Sequence, residues 1–121
     1  DIVSPDNLDS SLKSLVIEED RNEGYQVARV AGGYSRVLVY QLQHEHLRPV
    51  ARVKTPDAQP PGSWESSGVL NASRVLGADW WLLDVQAHLT DVPQPGPSLE
   101  PDSSSGENGQ LLAIRIPGST P

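Results

Sequence analysis

The apolar residues of this chain come in short runs separated by turn formers. The runs are Ser14-Leu15-Val16-Ile17-Glu18, Arg36-Val37-Leu38-Val39-Tyr40-Gln41-Leu42, Pro49-Val50-Ala51-Arg52-Val53, Trp80-Trp81-Leu82-Leu83-Asp84-Val85-Gln86 and Leu111-Leu112-Ala113-Ile114-Arg115-Ile116. A run of this length, rich in β-branched and aromatic residues and bounded by Gly, Pro, Asn and Ser, reads as a strand. With 11 Pro and 10 Gly in 121 residues, little sequence is left for helices. Residues 9–14 and 71–76 each offer one helical turn, the second stopped by Gly77, and neither can stand alone as an amphipathic helix. The pattern predicts an all-β chain with antiparallel strands near 14–19, 35–42, 48–53, 79–86 and 110–116, and a further one over 25–30. Residues 54–63 and 90–108 read as loops, rich in Pro and polar groups, within a single β domain or propeller fragment spanning 1–121. Asn108-Gly109 is a hairpin-type turn signal.

Several function classes are excluded by composition. The chain has no Cys, so a disulfide scaffold, a thiolate metal site and a cysteine nucleophile are all ruled out. Sixteen acidic against nine basic residues give a net charge of −7, the wrong sign for a nucleic-acid surface. No apolar run approaches the length of a membrane span, and no export signal lies in this stretch. The missing Met implies a start after processing or a piece of something longer. An acidic balance suits hard cations held by carboxylates.

The two halves share an order. Ser4-Pro5-Asp6-Asn7-Leu8 precedes a strand ending in Glu18-Glu19-Asp20, and Glu65-Ser66-Ser67-Gly68-Val69 precedes one ending in Asp84-Val85-Gln86. Each is followed by a polar loop and an alternating strand, 36–42 in the first half and 110–116 in the second. A β unit repeated in this way suggests antiparallel propeller blades, of which the chain would hold one or two. A propeller ring needs at least four blades, so the chain cannot close one alone. The other reading of the same order is a small sandwich of two meanders.

Asp6, Glu18, Glu19, Asp20, Glu65 and Asp84 flank these strands. Adjacent acids such as Glu18-Glu19-Asp20 repel one another unless a cation or solvent relieves them. Asp6 with Asn7, and Glu65 with Ser66, offer the oxygen donors that calcium takes. Asp84, Gln86 and His88 share one face of a strand. They form an acceptor, amide and imidazole set that could orient a phosphate or donate a proton. His44-Glu45-His46 has chelating spacing but falls on an exposed turn. No nucleophile elbow and no phosphate-cradling Gly loop is present. Trp64, Trp80 and Trp81 are expected in packing rather than on a sugar-stacking face.

Taken together, these motifs resemble the PhoX-type, phytase-like alkaline phosphatase family and its bacterial relatives. The matching segments are Ser4-Pro5-Asp6-Asn7-Leu8, Val16-Ile17-Glu18-Glu19-Asp20, Trp64-Glu65-Ser66-Ser67-Gly68-Val69, Trp81-Leu82-Leu83-Asp84-Val85-Gln86-Ala87-His88 and Gly109-Gln110-Leu111-Leu112, in that order. The resemblance implies the C-terminal portion of a β-propeller from an exported, periplasmic or extracellular, calcium-dependent phosphomonoesterase. In the best-known members iron also sits at the active site. Carried over, Asp6 and Glu65, then Glu19 and Asp20, are the expected metal ligands, with Gln86 and His88 on the phosphoester. The partners would be a phosphoester small molecule and the remaining blades of the same protein. Two other readings stay open: a non-catalytic calcium-stabilised propeller, and a β-sandwich binding module.

Overall fold

The structure is a computed structural model and describes residues 2–20, 35–55, 64–89 and 106–121. The chain is antiparallel β almost throughout, as the short apolar runs predict. Strands β1 (Pro5–Ser10), β2 (Ser14–Glu19), β3 (Arg36–Gln41) and β4 (His46–Arg52) form one sheet in the order β1-β2-β3-β4. Strands β5 (Trp64–Asn71), β6 (Trp80–Leu89) and β7 (Gly106–Arg115) form a second, in the order β5-β6-β7. Every pairing is antiparallel and joins neighbours in the chain. The repeated order of the two halves is therefore present as two meanders, whose first three strands correspond. The sheets are separate and do not close on one another.

The core lies between them. Val16 of β2 and Val37 and Val39 of β3 meet Trp81 and Leu83 of β6, with Ile116 just beyond β7. Alternation sets which residues enter it, since every second side chain of a strand faces the same way. Trp81 is the largest fully buried side chain. Its indole Nε1–H, which would be costly to bury unpaired, donates to Ser119 Oγ at 2.7 Å. The Ser119 carbonyl in turn accepts from Ser11 Oγ at 2.5 Å, so the tail crosses from the second sheet to the β1–β2 turn of the first. Asp79 holds the same tail: its backbone N–H donates to Thr120 Oγ1 at 2.6 Å and its carboxylate accepts the Thr120 N–H at 3.1 Å. Burial works to raise the Asp79 carboxyl, but hydrogen bonds from Gly118, Thr120 and Ser119 outweigh it and leave the group below its ordinary value.

Three expectations change. Residues 9–14 do not form a helical turn: Asp9 and Ser10 belong to β1, paired with Val16 and Leu15, and the chain reverses before Ser14. Asn108-Gly109 is not a turn, because both residues lie inside β7 opposite Ala87 and Gln86. Strands β1 and β5 are not among the expected strands. By contrast the turn at 71–76 is present as a single helical turn, α1 (Ser73–Leu76), followed by Gly77 at φ +98°. The His44-Glu45-His46 segment is exposed, on the β3–β4 turn and at the start of β4. The expected strand over 25–30 lies outside the described residues, as do 56–63 of the first expected loop and 90–105 of the second.

Truncating the central indole tests this core. Trp81→Ala is expected to cost about 3–5 kcal/mol. Ser119→Ala, which leaves the indole N–H unpaired but the core filled, should cost about 1–3 kcal/mol. Urea unfolding of the two variants measures both.

Candidate functional site

Glu18 and Glu19 are neighbours in sequence but point to opposite faces of β2. Glu19 is tied into the fold. Its carboxylate receives a two-pronged bond from Arg36, Nε to Oε2 at 2.6 Å and Nη2 to Oε1 at 2.5 Å. Oε1 also accepts the Val3 N–H at 2.8 Å. Such a fork is among the stronger charge-assisted arrangements, and the Glu19 hydrogen bond raises Arg36 above its ordinary value despite partial desolvation.

Glu18 sits on the same face as Ser14 and Val16 and is fully buried. Among the described residues, neither of its carboxylate oxygens has a hydrogen-bond partner. Burial first, then the negative charges of Asp84 and Asp6, push its carboxyl up to about 8. A carboxylate taken out of water with two like charges nearby favours its neutral form or a compensating cation. Ser66, on β5 beside β2, is buried with its Oγ also without a hydrogen-bond partner among the described residues, while its N–H donates to Ser35 Oγ at 3.3 Å.

Asp84 reaches this region through a bulge. The register of β5 with β6 slips between Ser67 and Val69, leaving Gly68 at φ +78°. The Asp84 Oδ1 atom lies 2.6 Å from where a Cβ on Gly68 would stand. Only glycine accepts both that backbone conformation and that approach.

Of the residues expected from sequence, Asp6 is exposed on β1 and accepts from Asn7 Nδ2 at 2.5 Å. Glu65 is buried on β5, directly opposite Gln86 of β6. Asp20 follows β2, and its N–H donates to the Ser4 carbonyl at 2.8 Å. His88 pairs with Glu107 across β6 and β7, but its side chain lies outside what is described. Asp6 and Asp84 are thus brought close enough to act on Glu18, whereas Glu19 faces away and is held by Arg36. Among the described residues, no group of three or more His, Asp or Glu side chains is arranged to hold a metal ion by itself. The sequence reading counted Glu18 among the strand-end acids but left it out of the site. The signal was there: Glu18 is two residues from the core residue Val16, on the inward face.

No protein-family model, no curated protein and no solved structure matches the chain.

The folded chain retains a proton on Glu18 that the unfolded chain, with its carboxyl near 4.5, has already released. Stability should therefore fall as pH rises between those two values and level off above about 8, with a slope of at most about 1.4 kcal/mol per pH unit. Glu18→Gln, neutral at every pH, should remove that share of the slope, so its stability relative to wild type grows with pH. Urea unfolding across the window measures it; parallel curves for the two proteins would show that Glu18 does not titrate there.

Replacing the bulge residue is a separate check. Gly68→Ala should cost about 1–3 kcal/mol through the positive φ and the Asp84 approach, read as a lower unfolding midpoint.

Proposed function

We propose that the chain is a portion of a metal-dependent phosphoester hydrolase of the PhoX-like, phytase-like kind, with its two meanders as blades of a β-propeller. The observation that carries the reading is Glu18, a fully buried carboxylate with both oxygens unpartnered among the described residues and the charges of Asp6 and Asp84 nearby. The motif order supports it, as does the correspondence of the first three strands of the two sheets.

Orphaned carboxylate oxygens suit a hard cation such as calcium. The fit is partial, since the described acids do not make a complete ligand set. In this reading Glu18, Asp6 and Asp84, with Glu65 and Asp20, are this chain's share of a composite set. The rest comes from other blades of a longer, exported protein. Calcium there, with iron beside it as in the family, would supply charge neutralisation and polarisation of a phosphoryl oxygen. The chain's own residues do the remaining work. Gln86, opposite Glu65, offers an amide to orient the phosphate. His88, two residues further along β6, is the candidate proton donor to the leaving oxygen.

The incomplete acid set favours a second reading, a non-catalytic β module in which a cation only stabilises the fold. Hydrolysis of p-nitrophenyl phosphate by the full-length protein separates the two, measured with calcium, after chelation, and in Glu65→Gln and Asp6→Asn variants. The hydrolase reading expects calcium-dependent turnover lowered at least roughly 100-fold in each variant, and no turnover from the isolated 121-residue chain. Unchanged rates in both variants would remove those residues from the site. Calcium binding without hydrolysis would establish the non-catalytic module.

A further inference from the structure

The core does not fill the whole space between the two sheets. Around Trp81 their inward rows meet and pack. Further along β6 they leave a cavity of about 200 Å³. Val37 and Val53 line it from the first sheet, and Leu83, Val85 and Leu112 from the second. Gln110 shares the inward row of β7 with Leu112 and Ile114, yet it is exposed, and it too lines this space. Native interiors hold few voids larger than one water molecule. An apolar void of about 150 Å³ takes up benzene, so a cavity of this size has room for a single ring.

The lining is not purely apolar. Arg52 and Lys54 stand on the β4 side of the cavity. Among the described residues neither makes an ion pair, and no acid joins them in the lining. That is a local reversal in a chain with 16 acidic residues to 9 basic. Both side chains are long enough to run along an apolar wall and hold a charge at its rim. Trp64, at the start of β5, adds an aromatic wall. Its indole N–H is buried and has no acceptor among the described residues, and a buried donor calls for one.

We propose that this cavity binds a small aromatic carboxylate. The ring fills the space among the valines and leucines, with Trp64 as an aromatic neighbour. The carboxylate lies toward Arg52 and Lys54, where its charge is met by charge-assisted hydrogen bonds. One of its oxygens gives the Trp64 N–H the acceptor it lacks. Apolar walls set the size of the body, and the two cations select the sign of the head. None of the acids assigned to the cation lines the cavity, so the proposal stands apart from the hydrolase reading.

Titration calorimetry of the full-length protein tests this, with phenylacetate and its uncharged analogue phenylacetamide as probes. Phenylacetate is expected to bind at least tenfold tighter than phenylacetamide, with the margin narrowing as salt is raised. Arg52→Gln combined with Lys54→Gln should remove that preference and leave phenylacetamide binding within twofold. Ala51→Leu, which extends a lining residue into the cavity, should abolish binding of both probes. A reading that does not depend on that variant folding is the indole N–H resonance of Trp64, identified by its loss in Trp64→Phe. It should shift when phenylacetate is added to the wild type. No binding and no shift at millimolar phenylacetate overturns the proposal, and is the result if the chain's own side chains take up the space. So does phenylacetamide binding as tightly as phenylacetate, or phenylacetate binding that neither the double glutamine variant nor Ala51→Leu alters.

Discussion

Everything in this fold hangs on the burial of Trp81 between the sheets. Among the described residues the core is shared: β2 and β3 contribute valines, β6 contributes Trp81 and Leu83, and the two sets pack on each other. The indole of Trp81 is the largest fully buried side chain. It also carries one obligatory donor, and that donor dictates where the tail must run. Ser119 reaches it only if residues 116–120 turn back under the second sheet, which the hydrogen bonds of Asp79 to Thr120 enforce. The Ser119 carbonyl then receives Ser11. A packing requirement at one residue becomes the polar tie between the sheets.

The same alternation that fills the core creates the chain's main electrostatic problem. Strand β2 carries Val16 inward, so Glu18 must follow it inward, while Glu19 turns out to Arg36. The two carboxylates meet opposite fates for a geometric reason. Glu19 has a guanidinium and a backbone donor within reach, so its burial is compensated. Glu18 has no hydrogen-bond partner among the described residues and two like charges nearby. A fold selected for stability alone would carry an apolar residue at that position, since an uncompensated buried carboxylate is strongly unfavourable. Position 18 carries an acid instead, beside the bulge at which Asp84 approaches Gly68.

Strands β2, β3, β4, β6 and the second half of β7 were legible because each holds a run of β-branched or aromatic residues. β1 and β5 were not. Pro5-Asp6-Asn7-Leu8-Asp9-Ser10 has no β-branched residue, and Ser66-Ser67-Gly68 interrupts β5 with turn formers. Both strands are set by partners: β1 by its register on β2, β5 by β6, with Gly68 absorbed as a bulge. The Asn108-Gly109 signal failed in the opposite sense. Its local preference for a turn gives way to a ladder that continues to Leu89 and Gly106. In the site, Asp6 and Glu65 were visible as acids on repeated segments. Separating Glu18 from Glu19 required knowing which face of β2 was the core. Arg36 lies 17 residues from Glu19, and no local pattern announces that pair.

The bulge at Gly68 shows how the repeat and the site are connected. In the first sheet the register of β1 on β2 also slips, between Pro5 and Leu8, the segment that holds Asp6. In the second it slips between Ser67 and Val69, where Gly68 admits Asp84. Each meander therefore breaks its first ladder at the corresponding place, and each break lies beside an acid that acts on Glu18. A regular pair would hold its side chains in strict alternation, and a bulge is the local means of re-aiming one. The core residues Val16 and Trp81 lie on regular stretches of ladder, while Leu83 flanks the β5–β6 slip and Val37 flanks a slip between β3 and β4. This third slip, between Val37 and Leu38 in the β3–β4 pair, carries no acid, so what the β1–β2 and β5–β6 slips share is an acid whose charge acts on Glu18.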